Sequence, residues 1–329
     1  MPRIVRIHEY GGPEVQRMEE LDVPDPAPGE VQIDVRAIGL NRAEAMFRNN
    51  AYLQEAELPS RLGYEAAGTV RKVGAGAEGF REGDAVSLIP PLDIAHWGTY
   101  GEMANLPASL VVKHPETLSF EQAAALWMPF VTAYGGLVDQ ARLGACDAVI
   151  ITAASSSVGL AAFQIARKVG ATSIATTRTT AKRQSLLDAG ADHVVATEEE
   201  DLPARVAEIT GGGGARVVFD PIGGPLLEPL TEAMAPGGIL LEYGALSTQP
   251  TPFPVFPVLG KQLTLKGYLY AEIVSDPERL ESAKRFILEG VTSGDLAPAI
   301  SKTFPLDEIQ EAHRFLESNQ QVGKIVVTV

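Results

Sequence analysis

From residue 148 to residue 267 the sequence repeats one pattern: a short apolar run, a turn, then a stretch with helical spacing. The apolar runs fall at 148–152, 173–177, 193–196, 216–220, 239–243 and 263–267, and the helical stretches near 158–169, 180–189, 201–209 and 224–235. A strand that is apolar throughout has no face left for water, so both sides of its sheet must be covered. Alternation of such strands with helices predicts a parallel, doubly wound α/β sheet.

The rest of the chain keeps other rhythms. "EVQIDVRAIGL" alternates at period two and places Val31, Ile33, Val35 and Ala37 on one face, and "GTVRKVG" and "DAVSLIP" repeat the habit between Gly and Pro punctuation. This predicts an antiparallel, β-rich domain, interrupted by a helix at "NRAEAMFRN". Ser119 and Gln122 form a capping box ahead of a helix through "AAALWMPFVTAYGGLVDQA". After about residue 268 come two amphipathic helices (277–290 and 306–317) and a last strand, "GKIVVTV". They lie outside the doubly wound count and are expected to return to the β-rich domain.

The bend after the first apolar run, "ITAASSSVGLAAFQIARKVGA", has the form of a phosphate loop. Dinucleotide loops use three glycines, for a tight turn, for close approach of the pyrophosphate and for helix–strand packing. Here Ala154 and Ser156 take the first two places and Gly159 the third. The packing position is kept. The approach position gains a side chain that sets the pyrophosphate further out, and its hydroxyl, or that of Ser157, returns a hydrogen bond. Free amides and a partial positive charge at the helix N-terminus remain. Ser155, Ser156, Ser157, Val158 and Gly159 are the candidate loop, with an ordinary strand–helix turn as the alternative. At the end of the second run, "IATTRTTAKR" lacks the acid that usually holds an NAD ribose. It offers Thr177, Arg178 and Lys182 instead, and cations there attract a 2′-phosphate, so NADP(H) is expected over NAD(H).

Composition narrows the classes. A net charge of −15 argues against a nucleic-acid surface. The single cysteine, Cys146, excludes an internal disulfide and a multi-thiolate zinc site. With no histidine near it in sequence, it reads as a small buried thiol rather than a nucleophile. No apolar run reaches the roughly 18 residues of a membrane span, and "MPRIVRIHEY" lacks a signal-peptide core. A soluble, cytoplasmic protein is expected.

The succession of "GYEAAGTVRKVG", "AASSSVGLAAFQIARKVGA", "VVFDPIGG" and "VGKIVV" resembles the medium-chain dehydrogenase/reductase superfamily over nearly the whole chain. It is most similar to the zinc-independent quinone oxidoreductase (zeta-crystallin-like) branch. The resemblance implies a GroES-like catalytic domain at 1–122 and 268–329 and a Rossmann domain at 123–267. It also implies an active site in the cleft and a homodimer joined through Rossmann sheet edges at 239–267. Asn41 and Tyr52 match active-site positions, and Thr132 a threonine on the nicotinamide side. Tyr243, Gly244, Ala245 and Leu246 match the loop at the nicotinamide ribose; Asn319 and Lys324 are carried over as cofactor contacts.

Departures from the family decide the chemistry. Zinc-bearing relatives have cysteine and histidine where this chain has Asn41 and Tyr64; Glu65 alone survives, and one carboxylate cannot hold a catalytic zinc. Region 90–105 has no cysteine for a structural zinc, and His96 is read as lining the cleft beside Trp97 rather than as a ligand. No metal is expected. After the third strand, where some relatives hold the 2′-phosphate with a tyrosine, "VVATEEED" presents Thr197 and acids, which counts against NADP(H).

Without a Lewis acid, the charge created by hydride attack must be spread by the acceptor or met by hydrogen-bond donors. Quinones and α,β-unsaturated carbonyls spread it as phenolate or enolate, so NADPH-dependent reduction of a quinone or enone is the expected activity. Trp127, Phe130, Tyr134 and Tyr52 are candidate flat walls. The candidate catalytic donors are Asn41, which equally suits a helix N-cap, and the phenols of Tyr52 and Tyr64, which equally suit structural roles. Alternatives are an enoyl-thioester reductase, a non-catalytic NADP(H)-binding protein and a zinc-dependent alcohol dehydrogenase.

Overall fold

The computed structural model describes residues 1–329. The chain divides into two compact units, one formed by Met1–Met128 with Ala297–Val329 and the other by Pro129–Leu296. In the second, six parallel strands run Ala148–Ile151, Thr172–Thr177, His193–Ala196, Ala215–Asp220, Met234–Glu242 and Thr264–Gly267. Their spatial order is third, second, first, fourth, fifth, sixth. Order reverses between the first and fourth strands, which opens a crevice at their C-terminal ends. Sheet residues Ile150, Ile174, Val195, Val218 and Leu240 bury against Leu202, Val206, Leu227 and Leu230 from the helices. Each such side chain contributes about 1.5–3 kcal/mol when fully buried.

The first unit is built around the strand Glu30–Gly39. It pairs antiparallel with Glu65–Val73, Met103–Pro107 and Lys324–Thr328 in a seven-stranded sheet. Val31, Ile33, Val35 and Ala37 are all buried, as their period requires. A smaller sheet places Arg3–Ile7 between Gln16–Glu20 and Ser60–Arg61. The Ser119 capping box forms with both bonds, Ser119 N–H to Gln122 Oε1 at 3.0 Å and Gln122 N–H to Ser119 Oγ at 3.2 Å.

Three expectations are corrected. The helix after Ser119 is not continuous. It runs Phe120–Ala123, restarts at Trp127–Tyr134 and widens over Gly135–Gln140, where the Ala141 N–H reaches back five residues to Gly136 O at 2.9 Å. Pro129 has no N–H to bond the turn before it, so the chain must re-initiate there. Gly135 and Gly136 have no room for a side chain, since a Cβ would lie 2.0 Å from Tyr268 Oη and 2.5 Å from the Phe219 ring respectively.

The return to the first unit comes at Ala297, not at about 268. Helix Pro277–Ser293 buries Leu280, Ala283 and Ile287 in the second unit, and its Arg279 pairs with Asp139 at 2.5 Å. Amphipathicity revealed an apolar stripe but not whose core receives it. Cys146, expected to be buried, is exposed. Its turn is held from inside by Asp147, which accepts the Gly144 N–H at 2.8 Å and pairs with Arg216. No helix is long and apolar enough to cross a membrane.

Candidate functional site

The second unit presents the candidate phosphate loop at the reversal of strand order. Ser156 has extended backbone and caps helix Ser157–Val169, its Oγ accepting the Gly159 N–H at 3.1 Å. Gly159 must be glycine, because a Cβ would stand 2.5 Å from Ala154 O and 2.8 Å from Ala154 C. The sharp bend falls on Ala153, whose φ of +44° is left-handed. This is how the turn dispenses with glycine at its first two places, at a cost of about 1–3 kcal/mol in backbone strain.

The cations beside the loop divide into two kinds. Arg183 is engaged internally, with Glu200 and with Val194 O at 2.8 Å. Lys182 donates to Ser155 Oγ at 3.0 Å, which ties the end of the second strand to the loop. Arg178 is exposed and makes no ion pair; burial, and then the charge of Arg178, hold the Lys182 ammonium below its ordinary pKa. The acidic run 198–201 is largely committed elsewhere. Glu199 accepts the Thr180 N–H at 3.2 Å, Glu200 binds Arg183 and Arg205, and Asp201 caps the next helix through Ala204 N at 2.8 Å. Thr177, partly exposed, completes the strand end.

Across the crevice, the Thr152 hydroxyl donates to Asp220, which also accepts the N–H groups of Ile222 (3.1 Å) and Gly223 (3.0 Å). Glu242 is the register partner of Asp220 on the neighbouring strand. Burial, and then the Asp220 carboxylate, push its pKa to about 9, so Glu242 keeps its proton at neutrality. Glu242 Oε1 and the Tyr243 phenol oxygen are buried without a hydrogen-bond partner, and the Tyr243 ring stacks on Phe219 with centroids 4.0 Å apart. Gly244, Ala245 and Leu246 are exposed just beyond. Buried polar atoms left unsatisfied are rare in native proteins. Their placement beside a cramped loop at a helix N-terminus fits a dinucleotide.

In the first unit the polar side chains close on one another. Lys324 Nζ lies 2.6 Å from Glu65 Oε2, the side chains only 1% and 0% exposed. The same ammonium donates to Asn41 Oδ1 at 2.6 Å, and Glu65 accepts the Met128 N–H at 3.0 Å. Asn41 precedes helix Arg42–Arg48, and its Nδ2 donates to Gly39 O at 3.1 Å and to Glu44 Oε1 at 3.4 Å. Lys324 is thus enclosed with Glu65, and both amide hydrogens of Asn41 are engaged within the first unit. A catalytic zinc does not fit this set of residues: the one retained carboxylate is already neutralised by an ammonium, and no three His, Cys, Asp or Glu side chains come together.

Glu44 organises this core, and sequence reading missed its reach. It accepts the Asn41 N–H (2.7 Å), the Tyr64 N–H (2.9 Å) and the Tyr100 hydroxyl (2.5 Å). Tyr100 in turn lies 2.9 Å from His313 Nε2. Burial, and then Arg48 and Arg42, lower the His313 pKa to about 3. The ring is therefore neutral, and since the Tyr100 proton goes to Glu44, Nε2–H is the donor to Tyr100. The spacing of Asn41 and Glu44 was a readable capping box; nothing local pointed to Tyr100 or His313.

Of the two candidate phenols, Tyr64 is 1% exposed while Tyr52 is half-buried. Their rings meet edge-on with centroids 6.5 Å apart. Burial raises the Tyr52 pKa, and a hydrogen bond from Tyr64 opposes the rise. The other expected walls are interior. Trp127 is fully buried and donates Nε1–H to Ser87 Oγ at 2.9 Å. Phe130 is buried, and Tyr134 packs on Phe286 within the second unit. Thr132 is buried on the same helix as Phe130. Asn319 is exposed, its Oδ1 accepting from Arg42. His96 is exposed and edge-on to Trp97, with centroids 4.2 Å apart.

Two family profiles match: the alcohol dehydrogenase GroES-like domain over residues 27–116 and the zinc-binding dehydrogenase over residues 157–289. Quinone oxidoreductase 1 of Escherichia coli is 34% identical over 327 residues, covering 97% of each chain. A crystal structure of E. coli quinone oxidoreductase complexed with NADPH superimposes with a TM-score of 0.91 at 32% identity, covering 99% of this chain and 100% of that one. A crystal structure of an NAD-dependent alcohol dehydrogenase also gives a TM-score of 0.91, at 34% identity and 99% coverage of both chains. With matching order, fold and full-length similarity, the chain belongs to the medium-chain dehydrogenase/reductase superfamily, in its quinone oxidoreductase branch.

Proposed function

We propose that the protein is an NADPH-dependent reductase that delivers hydride to quinones or other α,β-unsaturated carbonyls without zinc. The observation that carries this reading is the buried Glu65–Lys324 pair. It removes the last zinc-type ligand, so the acceptor must delocalise its own incoming charge. Bound NADPH would supply the hydride from its reduced nicotinamide ring. Residues 155–159 and the amides at the start of helix Ser157–Val169 would hold the pyrophosphate. Arg178, with Lys182 and Thr177, would pair with the 2′-phosphate. Glu242 Oε1 would accept from a ribose hydroxyl and the Tyr243 phenol would donate to one, with Gly244, Ala245 and Leu246 as the covering loop. Thr132 is assigned to the nicotinamide side on family likeness alone.

In the first unit Tyr52 would donate a hydrogen bond to the acceptor oxygen as charge builds on it. Its raised pKa keeps the phenol neutral and able to donate. Tyr64 holds Tyr52, while Asn41 and Glu44 fix the local backbone. The same reading makes the protein a cytoplasmic homodimer joined at strand Thr264–Gly267, the open edge of the parallel sheet. Phe253, Phe256 and Leu259 stand 62%, 86% and 71% exposed in the segment just before that edge. A monomeric mass by light scattering would exclude the dimer.

The deciding experiment follows loss of reduced-nicotinamide absorbance with NADPH and with NADH over quinones, enones, enoyl-thioesters, aldehydes and alcohols. Turnover of quinones or enones with NADPH, cut at least about tenfold by Tyr52→Phe, is expected. Activity confined to NADH and alcohols would assign the protein to the alcohol dehydrogenases, and NADPH binding with no turnover would make it a binding protein.

A further inference from the structure

A cavity of about 540 Å³ opens in the first unit, walled by the strand pair Arg3–Ile7 and Ser60–Arg61 and by the loops near residues 22, 57 and 95. Arg6 and Arg61 stand directly opposite on these antiparallel strands, so their side chains share one face. The two guanidiniums are treated differently. Arg6 is paired with Glu19, its Nε donating at 2.8 Å. Arg61 has no ion pair. One of its nitrogens donates to Met103 O at 3.2 Å, while Nε is buried with no partner. Burial, and then the like charge of Arg6, lower its pKa, and no carboxylate opposes them. Gly98 presses on the same strand, since a Cβ there would lie 2.6 Å from Arg61 Cβ, and this holds the arginine in the wall.

A largely enclosed cation without a counter-ion is costly unless an anion meets it. We propose that this cavity is a second small-molecule site, in which Arg61 receives the carboxylate of an amino-acid-like zwitterion. The rim supplies the other half. Asp22, Glu57 and Asp93 line it and are exposed. Asp93 is fixed in place, accepting Gln54 Nε2 at 2.9 Å and the N–H groups of Ala95 and His96 at 3.0 Å each. Those bonds outweigh its partial burial and keep it ionised at neutrality. One unpaired cation in the wall, with Arg6 already neutralised by Glu19, behind a rim of acids disfavours polyanions such as phosphate. It favours a single carboxylate carrying an ammonium group a few atoms away.

The test is calorimetric titration of the full-length protein with 4-aminobutyrate, acetate, methylammonium and inorganic phosphate. Saturable binding of 4-aminobutyrate is expected, at least about tenfold tighter than acetate or methylammonium, with phosphate weakest. Arg61→Gln should abolish it and Arg61→Lys should retain part of it. Asp93→Asn should leave acetate unchanged while narrowing the zwitterion's advantage to about twofold or less. If Arg61→Gln fails to fold, the Asp93→Asn comparison decides alone. No saturation with 4-aminobutyrate, phosphate binding as tightly as it does, or unchanged binding in folded Arg61→Gln would each overturn the proposal.

Discussion

In the second unit, Arg178 has no acidic partner, and Glu242 Oε1 and the Tyr243 phenol are buried with nothing to bond. In the first, Lys324, Glu65 and Asn41 satisfy one another within 2.6 Å. Both regions are dense in charge and both are tightly packed; they differ in whether the protein supplies the last partner itself. Buried polar groups left unmatched are rare, and these lie beside the loop proposed to hold a nucleotide. Closing them internally removes a region from ligand chemistry and turns it into scaffold. The open region is where affinity should respond to mutation, and the closed one is where stability should.

The largest effect to test that division is on the closed side. Lys324→Met leaves Glu65 buried and uncompensated, and urea unfolding should show a loss of about 3–5 kcal/mol. The double variant with Glu65→Gln should recover part of it. A Lys324→Met protein as stable as the parent would mean that the region is open after all.

On the open side, Arg178→Gln should leave unfolding unchanged, since the side chain is exposed and unpaired. Fluorescence titration should show NADPH affinity lowered about 10- to 100-fold, the worth of a charge-assisted contact, with NADH nearly unaffected. Equal losses for both nucleotides would remove Arg178 from the 2′-phosphate.

The smallest effect distinguishes the open region by pH. Glu242 titrates near 9 in the folded chain against an ordinary 4.5. Between those values the folded state binds a proton that the unfolded state does not, so this contribution is full below 4.5 and is lost as pH rises through about 9. Denaturation at neutral and alkaline pH should show the parent losing stability relative to Glu242→Gln as pH rises. A constant difference would mean that Glu242 is ordinary and ionised.

The parallel sheet was legible because its strands carry their own evidence. Runs such as "AVII" and "ARVVFD" are apolar on both faces and end at turn residues, and each lies within a few residues of its expected place. Gly159 and Ser156 were legible for the same local reason, one through sterics and one through capping. What stayed hidden depended on partners remote in sequence. Nothing near Lys324 announces Glu65, 259 residues away, and family likeness alone offered that lysine to a cofactor. Trp127 reads as an aromatic wall until Ser87 takes its indole N–H. Cys146 reads as a small buried residue until the turn around it is drawn shut by Asp147 from within.

The first unit is discontinuous in sequence, and this orders events during synthesis. Residues 129–296 are contiguous and can collapse as soon as they leave the ribosome, because every strand of their sheet is already present. The β-rich unit cannot. The strand Glu30–Gly39 lacks one neighbour, and Glu65 its counter-charge, until Lys324–Thr328 has been made. For most of translation the earliest residues therefore wait, with an unpaired edge and an uncovered acid, for the latest ones to arrive.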